Sequence, residues 1–401
     1  MVKFAHLADC HLGSWRSPEL EKLNFESFRK SIDIILQEKA DFALMAGDLF
    51  DSAYPSIDIL KETFAEFKRL KENNIPVFLI AGSHDYSASG KTFLDVLEKG
   101  GFCKNVLDYE EIDGKIRLAP SKINVGPETI SIFGYPGKKS SMEVEDIMRL
   151  ELPHQDNFSI LMLHTTIEDL APHPEIPKVK KEKLPLANYY ALGHIHQRFS
   201  TDIGNSRLTY PGPIFPNNFQ ELSDLQSGSF VMVEISGWDI KSSLIKIPTK
   251  EIVIIEEEVT NALIATETLI EKIDRMNLND KIVLLKLRGR IEQGKTSDIK
   301  FDKVEEFIRK KGAYTYLRNI SRLKTPEDIL ELDVVDTEEI ESLEKELIKK
   351  FSTENPHDFN SQLPSLISAL SIEKEEDEKT ISFEERLIEE LKQIMELKEI
   401  L

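Results

Sequence analysis

Five of the nine histidines, His11, His84, His164, His194 and His196, directly follow apolar runs that read as strands. Asp9 precedes His11 in "ADCHLG", Asp48 lies in "AGDLFD", and Asp85 follows His84 in "GSHD". "MLHTT" supplies His164, and "ALGHIHQ" supplies His194 and His196. Imidazole with carboxylate is a donor set suited to manganese, iron or zinc rather than calcium. Where the backbone is extended, an Asp-x-His or His-x-His spacing sends both side chains to one side, so each pair could grip one cation. Asp48 has two oxygens with which to bridge two ions. A two-metal centre acidifies a bound water and clamps both oxygens of an in-line phosphoryl displacement, so no Ser or Cys nucleophile is needed. A lone strand-end histidine is more often a structural hydrogen-bonding residue. The joint pattern makes the metal site the stronger reading. His6, inside the first strand, and His154, His173 and His357, in Pro- or Asp-containing loops, read as structural. Alternation turns Cys10 away from its two neighbours, as a packed thiol.

For these residues to meet, strand exits must converge, as they do at the carboxyl edge of an open α/β sheet. The apolar runs "VKFAHLA", "DFALMAG" and "PVFLIAG" alternate with "FESFRKSIDIILQE" and "SIDILKETFAEFKRLKE", whose apolar residues recur at helical spacing. That alternation predicts a parallel α/β sheet. From about Lys115 the pattern turns to strands with short links: "TISIFGYP", "FSILMLH", "YYALGHIH", "SFVMVEI" and "SSLIKIP". These predict a second sheet, mostly antiparallel, packed on the first. From about Ile252 a strand-helix-strand-helix-strand order predicts a small α+β unit. The expected division is 1–250, 251–325 and 326–401. The last part is polar and helical. Ile340, Leu343, Leu347, Ile348 and Phe351 share a face, and "STENPHDFN" breaks the pattern. After the acidic "EKEEDEKT", Ser382 and Glu385 form a capping box that opens a helix with the stripe Phe383, Leu387, Leu391, Ile394 and Met395.

A length of 401 residues suggests two or three domains. With 40% hydrophobic and 30% charged residues and no run of about 18 apolar ones, the chain reads as a globular cytoplasmic protein with no membrane partner. The start, "MVKFAHLAD", reads as a first strand rather than a signal peptide. Two cysteines are too few for a disulfide framework or a cysteine zinc site. The net charge of −20 argues against wholesale electrostatic capture of nucleic acid, but metal ions and local basic patches can still hold phosphate.

The series Asp9-x-His11, Gly47-Asp48, Gly82-Ser83-His84-Asp85, His164 and Gly193-His194-x-His196 resembles the calcineurin-like metallophosphoesterases. Within them, "HLADCHLG", "AGDLFD" and "YYALGHIHQ" most resemble the SbcD-like nuclease subunit of the DNA double-strand-break repair complex. The motifs cover roughly residues 1 to 215. The resemblance implies a four-layer α/β/β/α sandwich with a small capping domain and a C-terminal helical tail. It also implies a DNA exonuclease and endonuclease with two manganese ions, iron or zinc being alternatives. By position, Asp9, His11 and His196 would hold the first ion, His164 and His194 the second, with Asp48 bridging. His84 would stabilise the transition state or protonate the leaving oxygen, and Asp85 would orient His84. The family has Asn at the position of Ser83, where it binds the second metal, so Ser83 implies a weakened second site. Pro213 stands where the family has Ser.

Arg16, Lys138, Lys139, Arg198, Arg288 and Arg290 are candidate phosphate contacts, or solvated surface charges. A tethered helix with an apolar stripe is best explained by docking, onto its own protein or another's groove. The resemblance favours the coiled coil of an SMC-like ABC ATPase. It also implies a homodimer, for which Phe64, Phe67, Phe93 and Leu97 are either contacts or core. Two other functions stay open: a phosphatase or phosphodiesterase on small molecules or phosphoproteins, and a catalytically impaired DNA-end-binding scaffold.

Overall fold

The first strand, Val2–Leu7, runs parallel to Phe42–Ala46, Val77–Ile80 and the short Lys104–Asn105, with Phe4 opposite Phe42 and Ala43 opposite Val77. In this computed structural model the described residues are 1–86, 92–171, 175–324, 360, 362–370, 383, 386–388, 392 and 394. Helices Pro18–Gln37, Ile57–Glu72 and Leu94–Lys99 lie between these strands in sequence. The first helix opens on a proline, where no amide hydrogen is needed, and buries Leu20, Leu23, Phe28, Ile32 and Ile35. In the second, Ser56 accepts the Ile59 amide at 3.3 Å as N-cap.

Gly228–Ser236 and Asp239–Ile247 complete this six-stranded sheet, antiparallel, on the far side of Val2–Leu7. These are the segments "SFVMVEI" and "SSLIKIP", which the sequence pattern had assigned to the second sheet. Residues 228 to 233 are buried without alternation, so polarity along that strand could not say which sheet it joins.

The second sheet corrects another expectation. Its four central strands, Ser206–Pro211, Tyr189–Gly193, Phe158–His164 and Glu128–Tyr135, are mutually parallel, and only the edges Arg198–Ile203 and Ser121–Val125 are antiparallel. Among the described residues, the connections between the parallel strands hold only 3-10 turns, a five-residue helix and short strands, too short to show a helical period in the sequence. The outer face is covered by a five-residue helix, Glu143–Ile147, by 3-10 turns and by a small sheet of Tyr109–Ile112, Lys115–Leu118 and Leu150–Glu151.

The two large sheets pack face to face around Phe4, Phe42, Phe78, Ile132, Ile160 and Tyr189. Phe4 stacks on Phe42 at 4.9 Å and meets the Tyr189 ring edge-on at 5.4 Å. Such pairs add about 0.5–1.5 kcal/mol each beyond area burial. Phe67 and Leu97, weighed as dimer contacts, belong to the core beneath the helices. Phe64 and Phe93 pack against that core, Phe64 edge-on to Phe102 at 5.5 Å.

Ile252–Glu258, Ile282–Arg290 and Thr315–Lys324 form a three-stranded parallel sheet, with helices Ala262–Asp274 and Phe301–Lys310 contributing Leu269, Ile273, Val304 and Ile308 to one core. A second core sets Ile282 and Leu284 against Leu20, Leu23, Phe215 and Leu222. All of this lies in one unit, Met1–Pro326, and Glu327–Leu401 is another.

In that second unit Leu363–Leu370 is helical, and Phe383, Arg386, Leu387, Ile388, Lys392 and Ile394 are also in helical conformation. Leu391, Met395, the Ser382 and Glu385 capping box, the stripe from Ile340 to Phe351, His173 and His357 lie outside the described residues. No helix among the described residues is long and apolar enough to cross a membrane.

Candidate metal centre

Four of the strand-exit residues are delivered by tight backbone rather than by strand alternation, whereas His164 is the last residue of the strand Phe158–His164. Val2–Leu7 ends before Asp9, and Asp9, His11, Asp48 and His194 have φ of 51°, 42°, 52° and 92°. The extended-chain argument for Asp-x-His and His-x-His therefore chose the residues for the wrong geometric reason. Left-handed backbone costs an L-residue on the order of 1–3 kcal/mol and persists where neighbours fix it. Here the Asp9 amide donates to Gly47 O at 3.1 Å, the His11 amide to Asp48 O at 2.9 Å, and the His194 amide to Asp9 Oδ1 at 2.8 Å. Two glycines allow the approach. A Cβ on Gly47 would stand 2.1 Å from His164 Nδ1, and one on Gly82 would stand 2.1 Å from Asp48 Oδ1.

Three groups of side chains gather in this way: Asp9, His11 and His196; His11, Asp48 and His84; Asp9, Asp48 and His164. Within each group the donor atoms lie within 4.8 Å of one another. His11 Nε2 is 3.2 Å from His196 Nε2 and 3.5 Å from Asp48 Oδ2. His164 Nε2 is 3.1 Å from Asp48 Oδ2, yet it is buried without a hydrogen bond, as is Asp9 Oδ2. Buried polar atoms are rarely left unpaired. Donors about 2 Å from a shared cation sit roughly 3 Å from each other, so these spacings fit a common ion.

The imidazoles are held from behind. His11 Nδ1 meets Asp51 Oδ1 at 3.1 Å, His196 Nδ1 meets Glu221 Oε1 at 3.0 Å, and His164 Nδ1 donates to Ala46 O at 2.9 Å. In the neutral rings, proton donation from Nδ1 leaves the Nε2 lone pairs facing inward. Two such lone pairs 3.2 Å apart, on His11 and His196, call for a positive charge between or beside them. Burial opposes ionisation of Asp48, but His164 and His11 beside it hold its carboxyl far below the usual range. Burial pulls the His164 imidazole down, and Asp48 and Asp9 more than reverse this. Burial and then the neighbouring His164 lower His194 to about 4. The His194 ring centre lies 5.1 Å from that of His164, and His194 belongs to none of the three groups.

Asp85 does not orient His84, which corrects the expectation. Its carboxylate accepts the amides of Gly82 at 2.9 Å, Phe50 at 3.1 Å and Leu49 at 3.3 Å, so it ties two strand exits together. His84 is oriented by the carbonyl of Asp51, 2.9 Å from Nδ1, while its amide donates to Asp48 Oδ1 at 2.9 Å. Ser83 makes no hydrogen bond among the described residues. It lines, with Asp51, Tyr54, His84, Tyr86 and Lys139, a cleft of about 500 Å³.

Among the candidate phosphate contacts, Arg16, Lys139, Arg288 and Arg290 are exposed. Arg288 lies 3.8 Å from Glu258. Two others, both partly exposed, have partners within the chain. Lys138 Nζ bonds Asp146, and the Arg198 guanidinium bonds Ser229 Oγ at 2.9 Å, Ser227 Oγ at 3.1 Å and the Ser227 and Leu225 carbonyls. Basic residue type alone did not reveal those partners. Sequence reading also missed Asp51 and Glu221. Asp51 lies inside "AGDLFD", and Glu221 stands three residues after Asn218, the spacing of a helix cap.

Residues 2–198 match the family described as calcineurin-like phosphoesterase, and the chain carries a metallophosphoesterase domain of that kind. Among proteins of known name, it is 33% identical over 255 residues to the DNA double-strand break repair protein Mre11 of Methanocaldococcus jannaschii, covering 60% of this chain and 65% of that one. The Mre11 of Methanosarcina mazei is 26% identical over 342 residues, covering 82% of this chain and 52% of the other. The chain thus spans less than two thirds of the length of either relative. The uncharacterized metallophosphoesterase YhaO of Bacillus subtilis is 28% identical over 251 residues, covering 60% of this chain and 59% of that one.

Proposed function

We propose that the chain is a nuclease that hydrolyses phosphodiester bonds of DNA at a centre for two divalent cations, manganese first, with iron or zinc as alternatives. The observation that carries this reading is the pair of inward Nε2 atoms of His11 and His196, 3.2 Å apart, each backed at Nδ1 by a carboxylate. In this reading Asp9, His11 and His196 hold one cation, His164 and His194 the other, and Asp48 serves both. Two cations at such a site supply Lewis acidity toward water and phosphate. The protein supplies placement: Asp48 is fixed by the His84 amide, and Asp9 by the His194 amide. His84 keeps Nδ1–H on the Asp51 carbonyl, so a proton passed to the leaving oxygen would come from Nε2 of the imidazolium form, leaving the neutral ring with its Nδ1–H in place.

DNA is favoured as substrate by the likeness to two proteins named for DNA double-strand break repair and by the exposed Arg16, Lys139, Arg288 and Arg290. Phe383, Leu387 and Ile394, all helical, support a tail helix that docks on the coiled coil of an SMC-like ABC ATPase, with the nuclease as a homodimer. Ser83 cannot reproduce the amide oxygen of an asparagine, so the second cation is held more weakly. The open 500 Å³ cleft favours one alternative, a phosphodiesterase acting on small esters.

The test is manganese-dependent digestion of labelled double-stranded DNA by this chain and by Ser83→Asn, with metal content measured on both. Strong digestion and a fuller second site in the variant support the nuclease reading. If neither digests DNA while both hydrolyse a small phosphodiester, the substrate assignment fails.

A further inference from the structure

Glu221 sits near the start of the short helix Phe219–Leu225, and part of its work is ordinary capping. Its Oε2 accepts the Asn217 amide at 2.8 Å, and its Oε1 accepts Asn218 Nδ2 at 2.6 Å. Capping does not explain the third contact, Oε1 to His196 Nδ1 at 3.0 Å. The two side chains are only 19% and 23% exposed, so a fixed carboxylate rather than bulk water sets the ring. With Nδ1 donating, His196 Nε2 is the lone-pair atom, aimed at His11 Nε2 and at Asp9 Oδ1, 4.0 Å away.

The opposite side of the same helix belongs to the three-stranded unit. Leu222 is buried with Ile282 and Leu284, and Lys286 Nζ meets Ser223 Oγ at 2.6 Å. One helix of seven residues therefore touches a candidate ligand on one side and the small sheet on the other. We propose that Glu221 is a positioning residue that fixes His196 for a divalent cation, and that Lys286 and Leu222 make that setting depend on where the three-stranded unit sits. This rests on the metal-centre reading above.

Calorimetric titration of the full chain with manganese tests it, alongside thermal unfolding and imidazole nitrogen NMR before manganese is added. Glu221→Ala is expected to weaken one binding event about 10–100-fold, the usual cost of losing such a partner. It should also abolish the single Nδ1–H tautomer of His196. Glu221→Gln, which keeps an acceptor, is expected to restore most of both. Lys286→Ala should weaken the same event by less, with unfolding unchanged. Equal manganese affinity in wild type and Glu221→Ala overturns the positioning role. So does a loss that follows a collapsed thermal transition and is not rescued by Gln. Wild-type behaviour of Lys286→Ala overturns the link to the three-stranded unit. A wild-type chain that binds no manganese overturns the metal-centre reading and this inference with it.

Discussion

On one side of Asp48, His11 and His196 each rest Nδ1 on a carboxylate, Asp51 and Glu221. On the other side His164 rests on a backbone carbonyl, and Ser83 makes no hydrogen bond among the described residues. A carboxylate raises ligand basicity more than a carbonyl does, and a hydroxyl is a poorer donor to metal than an amide oxygen. In the proposed reading the first half would hold its cation firmly, whereas the second would depend on Asp48, on His194 and on His164, whose buried Nε2 lies 3.1 Å from Asp48 Oδ2 without a hydrogen bond. The difference teaches that ligand identity along the chain is only half of a metal site. The acceptors behind the ligands decide how well each half works.

That contrast breaks most completely at the residue both halves share. Asp48→Ala is expected to lower manganese-dependent phosphodiester hydrolysis by roughly a hundredfold or more and to empty both positions, read by metal analysis and initial rates. Retained metal at two equivalents would show that Asp48 does not bridge. The contrast sharpens with Ser83→Asn, for which apparent manganese affinity at the weaker position should rise by about tenfold or more, while the stronger event stays put. If both events shift together, the halves are not independent.

Smaller effects separate true phosphate contacts from structural cations. Arg198→Ala should cost roughly 1–3 kcal/mol in urea unfolding, because it removes the bonds to Ser229 Oγ, Ser227 Oγ and the Ser227 and Leu225 carbonyls, and should leave the salt dependence of DNA binding unchanged. Lys139→Ala should leave stability alone and reduce the salt slope by about one, read by DNA binding at several salt concentrations. Exchange of these two outcomes would make Arg198 rather than Lys139 the phosphate contact.

Much of this was readable in advance, for identifiable reasons. Asp9, His11, Asp48, His164 and His196 stood out because each follows an apolar run, and that placement survives whatever sheet the run joins. The small βαβαβ unit was readable because its helices keep a 3.6-residue apolar period. Sheet membership of Gly228–Ser236 was not, since a strand buried on both faces shows no alternation. The parallel pairing of Phe158–His164 with Glu128–Tyr135 was hidden because the helix between them, Glu143–Ile147, is too short to show a period. The intramolecular acceptors of Arg198 and Lys138 were not readable, because nothing along the chain marks the partner of a guanidinium or ammonium.

The sequence by itself determined the donor types and the strand exits that carry them, because donor chemistry and apolar runs are local properties. Only the tertiary structure decided that left-handed backbone at Asp9, His11, Asp48 and His194 turns those donors together, that Asp51 rather than Asp85 orients His84, and that Glu221 stands behind His196. Those facts depend on contacts between residues 25 to 40 positions apart or more, for which no spacing along the chain supplies a rule.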